Sequence, residues 1–369
     1  MSGVKYWIGF NIVRGIGPAK FQALLDHFGD LRPAWEATPE ALRAAGLDKR
    51  AVQNLVVTRQ KLDLDAQMAR LEKAGVQVMT WESPKYPERL RNIYGPPPVL
   101  YLRGAFTAAD EWAVAVVGTR RATVYGKEAA KQIGSGLARA GVTVVSGLAR
   151  GIDAVAHQAA LDVGGRTIAV LGSGVDVVYP AENRRLMERI IEGGAVFSEY
   201  TLGTPPEASN FPPRNRIISG LSLGAVIVEA GARSGALITA DFAAEQGRDV
   251  FAVPGNMFNR GSLGCNRLIQ QGAKLILGVE DILEELNLTM VAQQQELQAI
   301  VPENETESLV LSLLSTEPLH VDELVRQTDL SVPEVSSTLA LMELKGMVRQ
   351  VGGMNYVLAR ESRPAYIVD

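Results

Sequence analysis

The chain has 369 residues, 47% of them apolar and 21% charged, with a net charge of −4, enough for two or three domains around at least one substantial core. The longest apolar runs, such as Ile168 to Gly174 and Ala225 to Val228, are strand-length, which argues against a membrane helix of roughly 20 residues. Cys265 is the lone cysteine and His27, His157 and His320 lie far apart in sequence, which excludes a disulfide framework and a Cys-rich metal site and disfavours zinc.

The segment from Tyr6 to Val13 is a poor signal peptide, with one preceding Lys and no small-residue cleavage site, so a cytoplasmic location is expected. Tyr6 to Val13, Gly15-Ile16-Gly17-Pro18 and Ala19 to Phe28 read as helix, tight turn, helix: the glycines permit the turn and Pro18 suits the first helical position. A weaker copy follows at Ala41 to Val57 around Gly46-Leu47. Residues 1–70 are therefore expected to form a small helical domain of helix-hairpin-helix or sterile-alpha-motif type. Its turn amides either meet a phosphate or serve packing alone. Gln77 to Trp81 suggests a short strand, and Pro84, Pro87 and Pro96-Pro97-Pro98 mark an extended passage with little helix.

After it come short Val-rich runs: Val114–Val117, Val142–Ser146, Thr167–Leu171, Ala195–Ser198, Ala225–Val228 and Val250–Val253. Helical patterns such as Gly126–Ala140 and Asp153–Val163 separate most of them. Strands alternating with helices predict a parallel sheet covered on both faces, an extended Rossmann-like core over 75–290. Residues 291–306 read as a linker. From 307 to 360, three helices and a hairpin around Gly352-Gly353 predict a winged helix. Its third helix, Val332 to Lys345, carries Glu334 and Glu343 against Lys345, which favours a protein partner over duplex DNA.

The net charge hides an asymmetry. From Trp112 to Gly278 there are 17 Lys and Arg against 13 Asp and Glu, a mildly basic middle that fits a local anion-binding face. In a parallel sheet, ligands bind beyond the carboxyl ends of the strands, where helix N-termini present free amides. Three such ends pair small residues with arginine: Gly118 with Arg120 and Arg121, Ser146 and Gly147 with Arg150, and Arg233 with Ser234 and Gly235. Together they suggest a polyanion. A G-x-G-x-x-G after the first strand is missing, and so is a Walker loop, so no nucleotide cofactor is expected. The sharpest feature is Phe211-Pro212-Pro213-Arg214-Asn215-Arg216. Here an aromatic face is placed to stack a base while arginines take phosphates; the alternative is a core Phe beside solvated arginines.

These strings, with Ile217-Ile218-Ser219-Gly220-Leu221-Ser222, Glu229-Ala230 and Val253-Pro254-Gly255, resemble the DprA/Smf DNA-processing family closely over Trp81 to Glu285. The helical start and the winged-helix end resemble it more loosely. The resemblance implies a homodimer that binds single-stranded DNA and loads RecA recombinase onto it in natural transformation. It implies phosphate binding by Arg120 and a DNA groove lined by Phe211, Arg214, Asn215 and Arg216, with Ser146, Gly147 and Arg150 in a second loop. Some members carry a lysine shortly before this Phe. Here Glu207-Ala208-Ser209-Asn210 stands instead, so that contact is absent or moves to another basic residue such as Lys274.

The competing class is an enzyme. The core is also similar to lysine-decarboxylase-like proteins that cleave nucleoside monophosphates, in which Glu229 would act with Glu199 or Asp153. The favoured reading gives Glu229 a helix N-terminus or loop amides to bond. It gives His157 and Cys265 no catalytic role. A binding protein rather than an enzyme is expected.

Overall fold

Side-chain caps or a leading proline start most of the opening helices. The computed structural model describes residues 3–288, 304–315, 317–328, 330–344 and 347–358. It opens with six short helices: α1 (Val4–Ile12), α2 (Pro18–Phe28), α3 (Leu31–Glu36), α4 (Pro39–Ala44), α5 (Lys49–Lys61) and α6 (Leu64–Lys73). Asp30, Thr38, Asp48 and Asp63 each accept an amide N–H of the helix they precede, and Pro18 begins α2. Both expected hairpins form, each turning on a left-handed glycine, Gly15 at φ +91° and Gly46 at φ +94°.

The sheet has nine strands: β1 (Gln77–Thr80), β2 (Val99–Gly104), β3 (Ala113–Val117), β4 (Thr143–Ser146), β5 (Thr167–Leu171), β6 (Ala195–Ser198), β7 (Gly224–Ile227), β8 (Asp249–Ala252) and β9 (Lys274–Leu275), ordered β1-β2-β6-β5-β4-β3-β7-β8-β9. From β6 to β9 every pairing is parallel, as the Val-rich runs predict. The β1–β2 and β2–β6 pairings are antiparallel. The strand β2 lies directly behind three prolines, in the passage read only as extended.

Helices α7 (Glu88–Arg91), α8 (Val124–Arg139), α9 (Ile152–Asp162), α10 (Arg184–Gly193), α11 (Phe211–Gly220), α12 (Ala236–Glu245), α13 (Leu263–Gln270) and α14 (Glu280–Glu285) complete this part. Alternation along β2 shows how the two faces are buried. Val99 and Tyr101 join Trp7, Phe10 and Phe21 of the first helices in one apolar cluster, together with Leu171 and Val196. Leu100 and Leu102 join Ile217, Ile218 and Ala240 in the other. Tyr101 also donates from its hydroxyl to Asn11 Oδ1 at 3.0 Å.

The chain divides into two compact units, Met1–Val291 and Ala292–Asp369. The second contains helices Glu305–Leu313, Val321–Thr328 and Val332–Leu344 and a three-stranded antiparallel sheet, with Val310, Leu324, Val335, Leu339 and Met342 at its centre. The expected linker runs to 306, but a helix already begins at Glu305; Lys345 lies outside the described residues. Among the described residues no helix is long and apolar enough to cross a membrane.

His157 on α9 is fully buried. Thr167 Oγ1 donates to Val144 O at 2.7 Å, so it must accept from His157 Nδ1 at 2.6 Å, and Nε2 is left unpartnered. Burial pushes the imidazole pKa down to about 3. The folded ring is therefore neutral where the unfolded one is protonated, so its contribution is complete above about pH 6.5 and falls as pH drops towards 3. Urea midpoints measured between pH 7 and 5 should fall in the parent and fall less steeply in His157→Gln; parallel profiles would refute this.

Candidate nucleic-acid interface

Strand order reverses at β3. Succeeding strands step outward through β4 and β5 on one side, while β7 and β8 lie on the other. That is the seam at which an open α/β sheet leaves a crevice beyond its carboxyl ends. A cavity of about 630 Å³ occupies it, walled by the loop after β3, the loop after β4, the loop after β7 and the start of α11.

These loops interlock closely. Gly151, at φ +77°, caps α9 against the loop after β3, and a Cβ there would lie 2.3 Å from Thr119 O. A Cβ on Gly147 would lie 2.6 Å from Arg214 Nη2. Arg214 is 4% exposed. Its Nη1 donates to the carbonyls of Gly147, at 3.0 Å, and of Val170, and its Nε donates to Asn215 Oδ1 at 3.2 Å. Asn215 passes the chain of bonds on, donating to Gly235 O at 3.3 Å. Arg214 thus ties α11 to the loop after β4 and to strand β5, and Asn215 extends the tie to the loop after β7. Burial lowers its pKa to about 10, so it stays charged near neutrality. Asp153, also buried, accepts from the amides of Gly147 at 3.2 Å and Ala149 at 3.4 Å. Burial raises its pKa, with Arg214 opposing the shift.

The outer layer is different. Phe211 is half-buried, resting on Gly172 and 5.6 Å from the Tyr179 ring at 35°. Arg120 is exposed, its guanidinium carbon 5.2 Å from the Phe211 centroid, in the range of a cation–π contact. Arg121 beside it is exposed too. Among the described residues neither forms an ion pair. The cavity floor is therefore a fixed, bonded cation, and its rim carries two uncommitted ones.

Of the residues expected from the sequence, the fold gathers Gly118, Arg120, Arg121, Phe211, Arg214, Asn215, Ser234 and Gly235 around this cavity, and Gly147 and Arg150 around an adjoining recess. Others lie elsewhere. Ser146 is buried and donates to Val116 O, tying β4 to β3. Arg216 makes a two-point ion pair with Glu199 at 2.8 and 2.7 Å and donates to Gly95 O. Arg233 is exposed but does not line the cavity. Lys274 sits in the edge strand β9, paired with Glu285. Sequence reading passed over Tyr179, which walls both the cavity and the recess; only three-dimensional proximity reveals it.

The carboxylates named for catalysis are engaged. Glu229 is buried under Gly126 and accepts the Thr123 N–H at 2.9 Å, next to the start of α8. Glu199 is held by Arg216. Among the described residues no His, Cys, Asp and Glu cluster could hold a metal.

Comparison with known proteins decides the kinship. The profile of the family described as DNA recombination-mediator protein A matches residues 77–287, and the DprA winged helix domain matches residues 294–354. Protein Smf of Synechocystis is 36% identical, with 96% of this chain and 98% of that protein covered. The chain belongs to the DprA/Smf DNA-processing family. Protein Smf of Escherichia coli is another member, 40% identical over 87% of each chain. The X-ray structure of DprA from Streptococcus pneumoniae superposes with a TM-score of 0.67 at 37% identity, covering 76% of this chain and 97% of that one. A second DprA/Smf structure, DNA processing protein A from Helicobacter pylori, was described for its single-stranded DNA binding mode. It matches at 31% identity with a TM-score of 0.52, covering 57% of this chain and 95% of that one.

Proposed function

We propose that the chain is a single-stranded-DNA-binding protein whose strand crosses the switch-point cavity. The carrying observation is the exposed Arg120 guanidinium beside the half-buried Phe211 ring at the rim of that cavity. A phosphate meets an uncommitted arginine there while a base reaches an aromatic face. A cavity of about 630 Å³ suits a nucleoside-sized group. A single strand can turn a base into it, whereas a duplex keeps its bases stacked. The H. pylori relative's single-stranded DNA binding mode supports the same reading. As the family resemblance implies, we assign the protein a homodimeric, cytoplasmic role in which bound DNA is protected and passed to RecA. The work assigned is binding, not catalysis, and needs no cofactor.

The winged-helix unit is assigned a protein partner. The exposed positions of its third helix include Glu334, Glu343, Val332 and Leu341, a surface ill-suited to phosphates.

The test is an anisotropy titration of single- against double-stranded oligonucleotides across a salt series, with and without RecA. Preference for the single strand is expected. Arg120→Ala should weaken binding whatever the base sequence and reduce the slope of log K against log salt by about 0.7. Equal affinity for both DNA forms, or an unchanged slope, would overturn the site.

A further inference from the structure

Arg150 is the one arginine at this site whose fork is exposed yet already filled. It lies in the loop after β4, immediately before Gly151, and walls the recess shared with Arg120, Tyr179 and Phe211. Its Nε donates to Glu182 Oε1 at 2.8 Å and its Nη2 to Glu182 Oε2 at 2.7 Å. Two parallel bonds from a guanidinium to two oxygens of one anion is also the geometry in which arginine holds a phosphate. We propose that Glu182 stands in for a DNA phosphate, occupying the Arg150 fork in the free protein and yielding it to the backbone of a bound strand. The inference rests on the single-strand reading above and adds a residue that sets its affinity.

Three features support exchange rather than a fixed clamp. Both partners are largely solvent-exposed, 60% for Arg150 and 55% for Glu182, and exposed ion pairs contribute little to stability. The loops do not depend on the pair to stay together: Asn183, next to Glu182, donates from Nδ2 to Leu148 O at 2.9 Å. The backbone that presents Arg150 is stiff, with Gly151 fitted against the loop after β3 and Leu148 buried at φ +56°. A released Arg150 therefore stays beside Arg120 and the Phe211 ring, where a strand leaving the cavity carries its next phosphate. Arg216 offers a contrast. Its pair with Glu199 is 13% and 16% exposed, too enclosed for such exchange.

The experiment is a double-mutant cycle on the full chain, with labelled oligothymidylate as probe at fixed salt. Glu182→Gln should bind roughly two- to five-fold tighter, the range an exposed ion pair can withhold. Arg150→Ala should bind more weakly than the parent. Adding Glu182→Gln to Arg150→Ala should then change nothing, because the fork is gone. Thermal midpoints of all variants should stay near the parent's. An unchanged Glu182→Gln affinity, in a parent that binds single strands, overturns this inference alone. So does an equal gain with Arg150 absent, which would mark general charge repulsion. A parent with no single-strand preference removes the underlying reading and this one with it.

Discussion

Arg214→Ala should lower the unfolding free energy by about 3 kcal/mol, as removal of a bonded, buried charge typically does. The deletion strips the carbonyls of Gly147 and Val170 and the Asn215 side chain of their donor. It also removes the nearby cation that opposes the raised pKa of Asp153. Arg214→Lys should be nearly as damaging, since an ammonium cannot reproduce the forked reach. A urea titration reads the effect as a lower midpoint, and an unchanged midpoint would refute it. The practical corollary is that weakened DNA binding in this variant reports a loosened scaffold. Arg120→Ala, at the exposed rim, should leave the midpoint alone.

Phe211→Ala should weaken single-strand binding by roughly 1–3 kcal/mol, the worth of a base stacked on an aromatic ring. Part of the ring is committed to Tyr179 and Gly172. The buried Arg214 guanidinium also lies 5.9 Å from the ring centroid, whereas Arg120, 5.2 Å away, is exposed and among the described residues has no ion pair to hold it there. On the proposed reading, swinging Arg120 onto a phosphate would clear the ring for a base, bringing both groups into use together. An abasic strand separates stacking from charge: Phe211→Ala should bind it almost as well as the parent does. An equal penalty on abasic and normal strands would exclude stacking.

The two arginines show what the sequence could and could not say. Both were read as phosphate contacts. Arg214, Ile217, Ile218 and Leu221 recur at the i, i+3, i+4, i+7 spacing of one helix face, and all four are buried. That periodicity was legible and places Arg214 inward. Arg120, on a loop with no period, had no such signal. Partners distant in sequence decided the rest: Arg216 met Glu199, Lys274 met Glu285 and Arg150 met Glu182. The parallel strands were legible because a sheet covered on both faces needs continuous apolar runs. The strand β2 has such a run too, Val99-Leu100-Tyr101-Leu102, but Pro96-Pro97-Pro98 masked it.

Trp7, Phe10 and Phe21 share one apolar cluster with Tyr101, Leu171 and Val196, so the opening helices cover one face of the sheet. Helices of 6 to 13 residues do not persist alone in water, and the sheet face they cover is too greasy to stand bare. Cutting the backbone between Lys73 and Gln77 and separating the pieces should therefore bare apolar surface on both, Trp7 and Phe10 on one and Tyr101 and Val196 on the other.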